Sequence, residues 1–119
     1  MEDKVEKLKT ALCTAKAVAS FFKDELDDGT ANFDHPLLFK PDGMTKKQIL
    51  EAFEKALIHC EIETTGIWKN WIHIYGVVDG QGNRRTTMAE KFSEALEKQG
   101  FKSCVYYQMD WGEIWKKFT

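Results

Sequence analysis

Trp71-Ile72-His73-Ile74-Tyr75-Gly76-Val77-Val78 is the stretch that decides the fold class. It is rich in β-branched and aromatic residues, and its alternation assigns Trp71, His73, Tyr75 and Val77 to one face of a strand. Ile72, Ile74, Gly76 and Val78 take the other. A polar run, Asp79-Gly80-Gln81-Gly82-Asn83-Arg84-Arg85-Thr86-Thr87, follows it. Thr87-Met88-Ala89-Glu90 then has the spacing of a capping box, with Met88, Phe92, Ala95 and Leu96 on one face of a helix that Gly100 ends. Phe101 to Met109 reads as a second strand. The strand-helix-strand unit is long enough for a right-handed parallel crossover.

Upstream of this unit the period is helical. Val5, Leu8, Leu12, Ala15, Ala19, Phe22 and Leu26 step by three and four, widened by Ala11, Val18 and Phe21. Asp27-Asp28-Gly29 is the stop signal of that helix, and the acidic residues around it read as a solvated helix end. The small residues Ala15 and Ala19 allow another element to approach closely. The seam also permits a homodimer through the first helix. From Thr30 to Gly43 the chain reads as a loop, turning at His35-Pro36 and Pro41-Asp42-Gly43, with Leu37, Leu38 and Phe39 laid over the core. Thr45 and Gln48 make a capping box for a second helix whose buried face is Ile49, Phe53, Ala56, Leu57 and Cys60. Glu61 to Thr65 alternates as a short strand, and Asp110 to Phe118 suggests a last short helix.

The sequence therefore predicts one α+β domain over residues 1–119, in the order α-α-β-β-α-β-(α), with a small sheet of about three strands covered by helices. With 43% hydrophobic and 13% aromatic residues, the 119-residue chain has the composition of a folded protein. The formal net charge of -2 supplies no global attraction to nucleic acid or an anionic membrane. The charged start, Met1-Glu2-Asp3-Lys4, is unlike a signal peptide, and no apolar run is long enough to span a bilayer. Cys13, Cys60 and Cys104 are an odd count without a CxxC pair, which suggests buried, reduced thiols and a cytoplasmic protein.

Arg84 and Arg85 are the only arginines among 17 basic residues. At the carboxyl end of a strand and the amino end of a helix, Gly80, Gly82, Asn83, Arg84, Arg85, Thr86 and Thr87 form a candidate receptor for a carboxylate or phosphate. Neither the P-loop nor the dinucleotide fingerprint is present. Trp68, Tyr107, Trp111 and Trp115 are candidate interface aromatics, being of the residue types that dominate protein interfaces and also stack on single-stranded bases. Asp79 and Asp110 would converge if the two strands were parallel neighbours, and could then hold a magnesium ion. Both also suit turn and cap positions, so no metal, cofactor or catalytic residue is assigned. His73, alternating with Trp71 and Tyr75, reads as a core or sheet-face residue, and His35 and His59 lack partners at metal-ligand spacing.

The expectation is a non-enzymatic cytosolic interaction or regulatory protein that binds a macromolecular partner, first of all a protein. Its small size suits a phage or mobile-element inhibitor of a nucleic-acid machine such as a CRISPR nuclease. The alternative is a nucleotide- or nucleic-acid-phosphate-binding module using the Gly80–Thr87 loop.

Overall fold

Three helices and a four-stranded antiparallel sheet make up the computed structural model, which describes residues 3–108. The elements are α1 (Lys4–Ser20), β1 (His35–Phe39), α2 (Lys46–Ala56), β2 (His59–Ile62), β3 (Trp71–Tyr75), α3 (Asn83–Lys98) and β4 (Ser103–Tyr106). The α+β class and the order of elements are as expected, with one strand added. The suggested last helix, with Asp110, Trp111 and Trp115, lies outside the described residues.

The added strand is β1, in the segment expected to be a loop. It occupies an inner position in the order β2-β3-β1-β4 and pairs antiparallel with both neighbours. Pro36 is tolerated because the β1–β3 register begins one residue later, at Leu37 opposite His73. Since β3 and β4 are both antiparallel to β1, they run parallel to each other with β1 between them. The expected crossover is therefore real, but its strands are not neighbours. α3 joins β3 to β4 across β1, and α2 joins β1 to β2 across β3, which is the split β-α-β topology.

One sheet face carries Leu38, Ile72 and Ile74 into the core, where they meet Leu8, Leu12, Phe53 and Phe92 of the helices. α1 packs against both α2 and α3, and its fully buried Ala15 and Ala19 allow that approach. The α1 seam is thus covered within the chain, so it is not a free dimer surface. The helix stops at Ser20, earlier than its apolar period suggested, leaving Phe21 84% and Leu26 74% exposed. Beyond it the chain turns away to carry Asp27 and Asp28 to the start of α3.

The Thr45–Gln48 capping box of α2 forms as expected. α2 ends at Ala56 because Leu57 takes a left-handed conformation (φ 58). Cys60 consequently lies in β2 rather than on the helix, and Leu57 is exposed rather than buried. Burial pushes the Cys60 thiol up to about 11. Cys13 is exposed, contrary to the expectation of buried thiols, and all three cysteines are free. Among the described residues, no helix is long and apolar enough to cross a membrane.

Candidate functional site

The arginines lie in the first turn of α3, not in the loop before it. The Thr87 box does not form; Gly82 is the N-cap and has no side chain to accept a capping bond. An acidic segment from far along the chain takes over the capping. The Asp27 carboxylate accepts the Gln81 N–H (3.0 Å) and the Gly82 N–H (2.8 Å). The Asp28 carbonyl accepts the Asn83 N–H (2.7 Å), and the Asp28 carboxylate accepts the Asn83 side-chain amide. These amides and the positive end of the helix dipole make a seat for an anion. The protein fills it with its own carboxylate. Bonds from Gln81 and then Gly82, with Arg84 adding its charge, hold the Asp27 carboxyl below its usual range. The acidic stretch is therefore a cap for α3 rather than a merely solvated helix end.

Both glycines are required by this clasp. Gly80 has φ +87, and a Cβ there would stand 2.8 Å from an Asp27 carboxylate oxygen. A Cβ on Gly82 would collide with the backbone oxygen of Asp28, which side-chain motion cannot relieve. We expect Gly82→Ala to destabilise the fold by about 1–3 kcal/mol through this overpacking. Urea denaturation measures it, and Gln81→Ala, whose side chain takes no part in the clasp, is the control.

Arg84 and Arg85 have different surroundings. Arg84 donates from Nε to the Glu25 carbonyl (3.0 Å) and lies 3.8 Å from the Asp79 carboxylate, tying α3 to the acidic segment. Asp79 thereby serves as an ion-pair partner, and no group of residues able to hold a metal ion occurs among those described. Thr86 donates to Asp34 (2.7 Å) and accepts from Asn32 (3.1 Å), while Thr87 lies within the helix. The Arg85 Nε is shielded from solvent and has no hydrogen-bond partner. Burial lowers the guanidinium's proton affinity, opposed by the charge of Asp34.

Arg85 faces a groove of about 440 Å³ shared with Phe33, His35, Tyr75 and Gln108. The groove lies at the end of the sheet where β1 begins and β3 and β4 finish. Around it Phe33 is 51% and Tyr107 63% exposed. Of the candidate aromatics, Tyr107 is therefore accessible. Trp68 is half-buried, standing edge-on against Trp71 (6.2 Å) and Tyr106 (5.5 Å).

A hydrogen-bonded string runs from the groove to Glu63. His35 Nδ1 meets the Phe33 carbonyl (2.9 Å), His35 Nε2 meets His73 Nδ1 (2.7 Å), and His73 Nε2 meets the Glu63 carboxylate (3.0 Å). Burial, then the charges of His73 and Arg85, lower the proton affinity of His35 against the pull of the Phe33 carbonyl and Asp34. His35 is accordingly the neutral ring: it donates through Nδ1 to Phe33 and accepts at Nε2 from His73.

No protein-family model, no curated protein and no solved structure matches this chain. Its site must be read from its own geometry.

Sequence reasoning brought Gly80, Gly82, Asn83 and Arg84 to one place, with Arg85, Thr86 and Thr87 on the turn that follows. It missed Asp27, Asp34, Phe33, His35, Tyr75 and Gln108, which complete the clasp and the groove. The unused signal was the acidic run Asp27-Asp28 before Gly29. Such a run pairs naturally with the amino end of another helix.

Proposed function

We propose that this chain is a non-enzymatic regulatory protein that binds a partner protein through the Arg85 groove, a partner carboxylate seating on the guanidinium. The observation that carries this reading is the contrast between the arginines. Arg84 is engaged within the chain, whereas the Arg85 Nε is dry and unbonded. A partly desolvated guanidinium gains from a bidentate carboxylate, and Phe33 and Tyr75 supply aromatic surroundings in the same groove. A phosphate on the Gly80–Thr87 loop would first have to displace Asp27 from its amides, so the geometry favours the protein partner.

Affinity capture from the native lysate tests this with wild type, Arg85→Ala and Arg84→Ala. We expect Arg85→Ala to weaken capture of one defined partner roughly tenfold or more, as loss of a hot spot does. Arg84→Ala should retain it once stability is matched. Capture unchanged by Arg85→Ala and by Phe33→Ala overturns the reading. The narrower proposal, a phage or mobile-element inhibitor of a nucleic-acid machine such as a CRISPR nuclease, rests on small size. Adding the protein to a reconstituted nuclease tests it, and undiminished cleavage counts against it.

A further inference from the structure

The two edges of the sheet are finished differently. At β4 the outward N–H of Ser103 is taken by the Glu97 carboxylate (2.9 Å). β2, at the other edge, pairs with β3 alone. Just beyond β2, Glu63 donates to the Trp71 carbonyl, so by alternation Glu61 and His59 also point their backbone groups at β3. Cys60 and Ile62 therefore turn theirs outward, as a strip ready to take another strand.

Apolar surface borders that strip. Leu50, Phe53, Leu57, Ile58 and Cys60 line a groove of about 460 Å³ between α2 and β2. Leu57 is 84% exposed and Leu50 43%. Leu57 moreover holds a left-handed backbone (φ 58), which suits glycine and strains a leucine. A leucine kept strained and in water points to a use for its side chain outside the monomer.

We propose that β2 pairs with β2 of a second copy of this chain, antiparallel about a two-fold axis, joining the two sheets into one. The residues of the strand select the register. An axis through Glu61 sets it against its own copy, and one through Ile62 sets Glu61 against Glu63; both oppose like charges. An axis through His59 pairs Cys60 with Ile58, whose N–H is already bonded to the Phe53 carbonyl (3.0 Å). An axis through Cys60 avoids all three faults. There the two Cys60 residues exchange backbone hydrogen bonds, and Glu61 of each copy stands opposite His59 of the other. Both side chains are exposed and on the same face of the strand, so carboxylate meets imidazole at two symmetric contacts. The two α2 rims then face each other across the axis, and each Leu57 gains cover. This inference does not rest on the Arg85 groove, and Arg85→Ala should dimerise like wild type.

Sedimentation equilibrium of the full chain over a concentration series tests it, with a reversible dimer expected. His59→Glu sets like charges opposite each other at both contacts and should weaken the dimer roughly tenfold. His59→Glu/Glu61→Lys restores opposite charges and should restore the dimer. Leu57→Gly should fold at least as stably, being relieved of strain, yet dimerise less tightly. Amide hydrogen exchange reads the unaltered chain: Cys60 should exchange more slowly as concentration rises. A chain that stays monomeric at its highest soluble concentration overturns the proposal. So does a dimer indifferent to His59→Glu, or one that the exchanged charges fail to restore. Protection of Cys60 that appears only when a partner protein is added gives the edge to that partner and overturns the second copy.

Discussion

Asp34→Ala is expected to destabilise the protein by about 2–4 kcal/mol, because one buried carboxylate joins three separate segments. Asp34 is only 4% exposed. It accepts the Thr86 hydroxyl of α3 at 2.7 Å and the Gln108 N–H beyond β4 at 2.8 Å, and it opposes the buried charge of Arg85. Truncation leaves the Gln108 N–H and the Thr86 hydroxyl without their acceptor and a partly buried guanidinium without the opposing charge of Asp34. Both penalties fall on the folded state alone. Urea denaturation at neutral pH measures the loss, with Asp34→Asn as the comparison. The asparagine retains an acceptor for one of the two donors, so its loss should be smaller. A loss below about 1 kcal/mol for the alanine variant, as at an ordinary surface position, would show that Asp34 is not the tie described.

Acidification should weaken the fold through His35. Its folded-state proton affinity is lowered, chiefly by burial and then by the charges of His73 and Arg85. Below the ordinary histidine value of about 6.5 the unfolded chain takes up a proton at this position that the folded chain refuses. This contribution to stability is therefore whole above that pH and is lost as the pH falls toward and through the folded-state value. A second proton on His35 would sit on Nε2, opposite the proton that His73 already donates at 2.7 Å. Two donors would then face each other in a site where His35 is 4% and His73 7% exposed. His35→Asn should flatten the stability profile over that range while lowering neutral-pH stability. His73→Leu should cost about 1–3 kcal/mol at neutral pH, since it strands the His35 Nε2 lone pair. Chemical denaturation from neutral to mildly acid pH checks both. An unchanged slope in His35→Asn would remove His35 as the source.

The two arginines show how far local reading reaches. Their position beside an anion receptor was legible, because a glycine-rich turn between strand and helix needs only neighbouring residues. Its occupant was not. Asp27 and Gly82 are 55 positions apart, and only the packing of α1 against α3 brings them together. The Thr87 box failed for the same reason. A local cap competes with any carboxylate the fold can deliver, and here Asp27 and Asp28 start the helix five residues earlier.

β1 was misread because its local chemistry is that of a turn. Asn32, Asp34 and His35-Pro36 all favour loops in isolation. In the fold Asp34 is anchored by Thr86 and Gln108, Pro36 precedes the β3 ladder, and Leu37 and Leu38 are wholly buried. A strand paired on both edges and covered on both faces has no alternation to announce it.

Periodicity and end signals lie within a few residues of one another, so the sequence alone determined the three helices, the α2 cap, β3 and the α+β class. Strand order, the filled receptor, the different surroundings of the two arginines, and the His35–His73–Glu63 string were decided by the tertiary structure. Each depends on groups from distant segments, whose meeting follows from burying one shared core rather than from any neighbour in the chain.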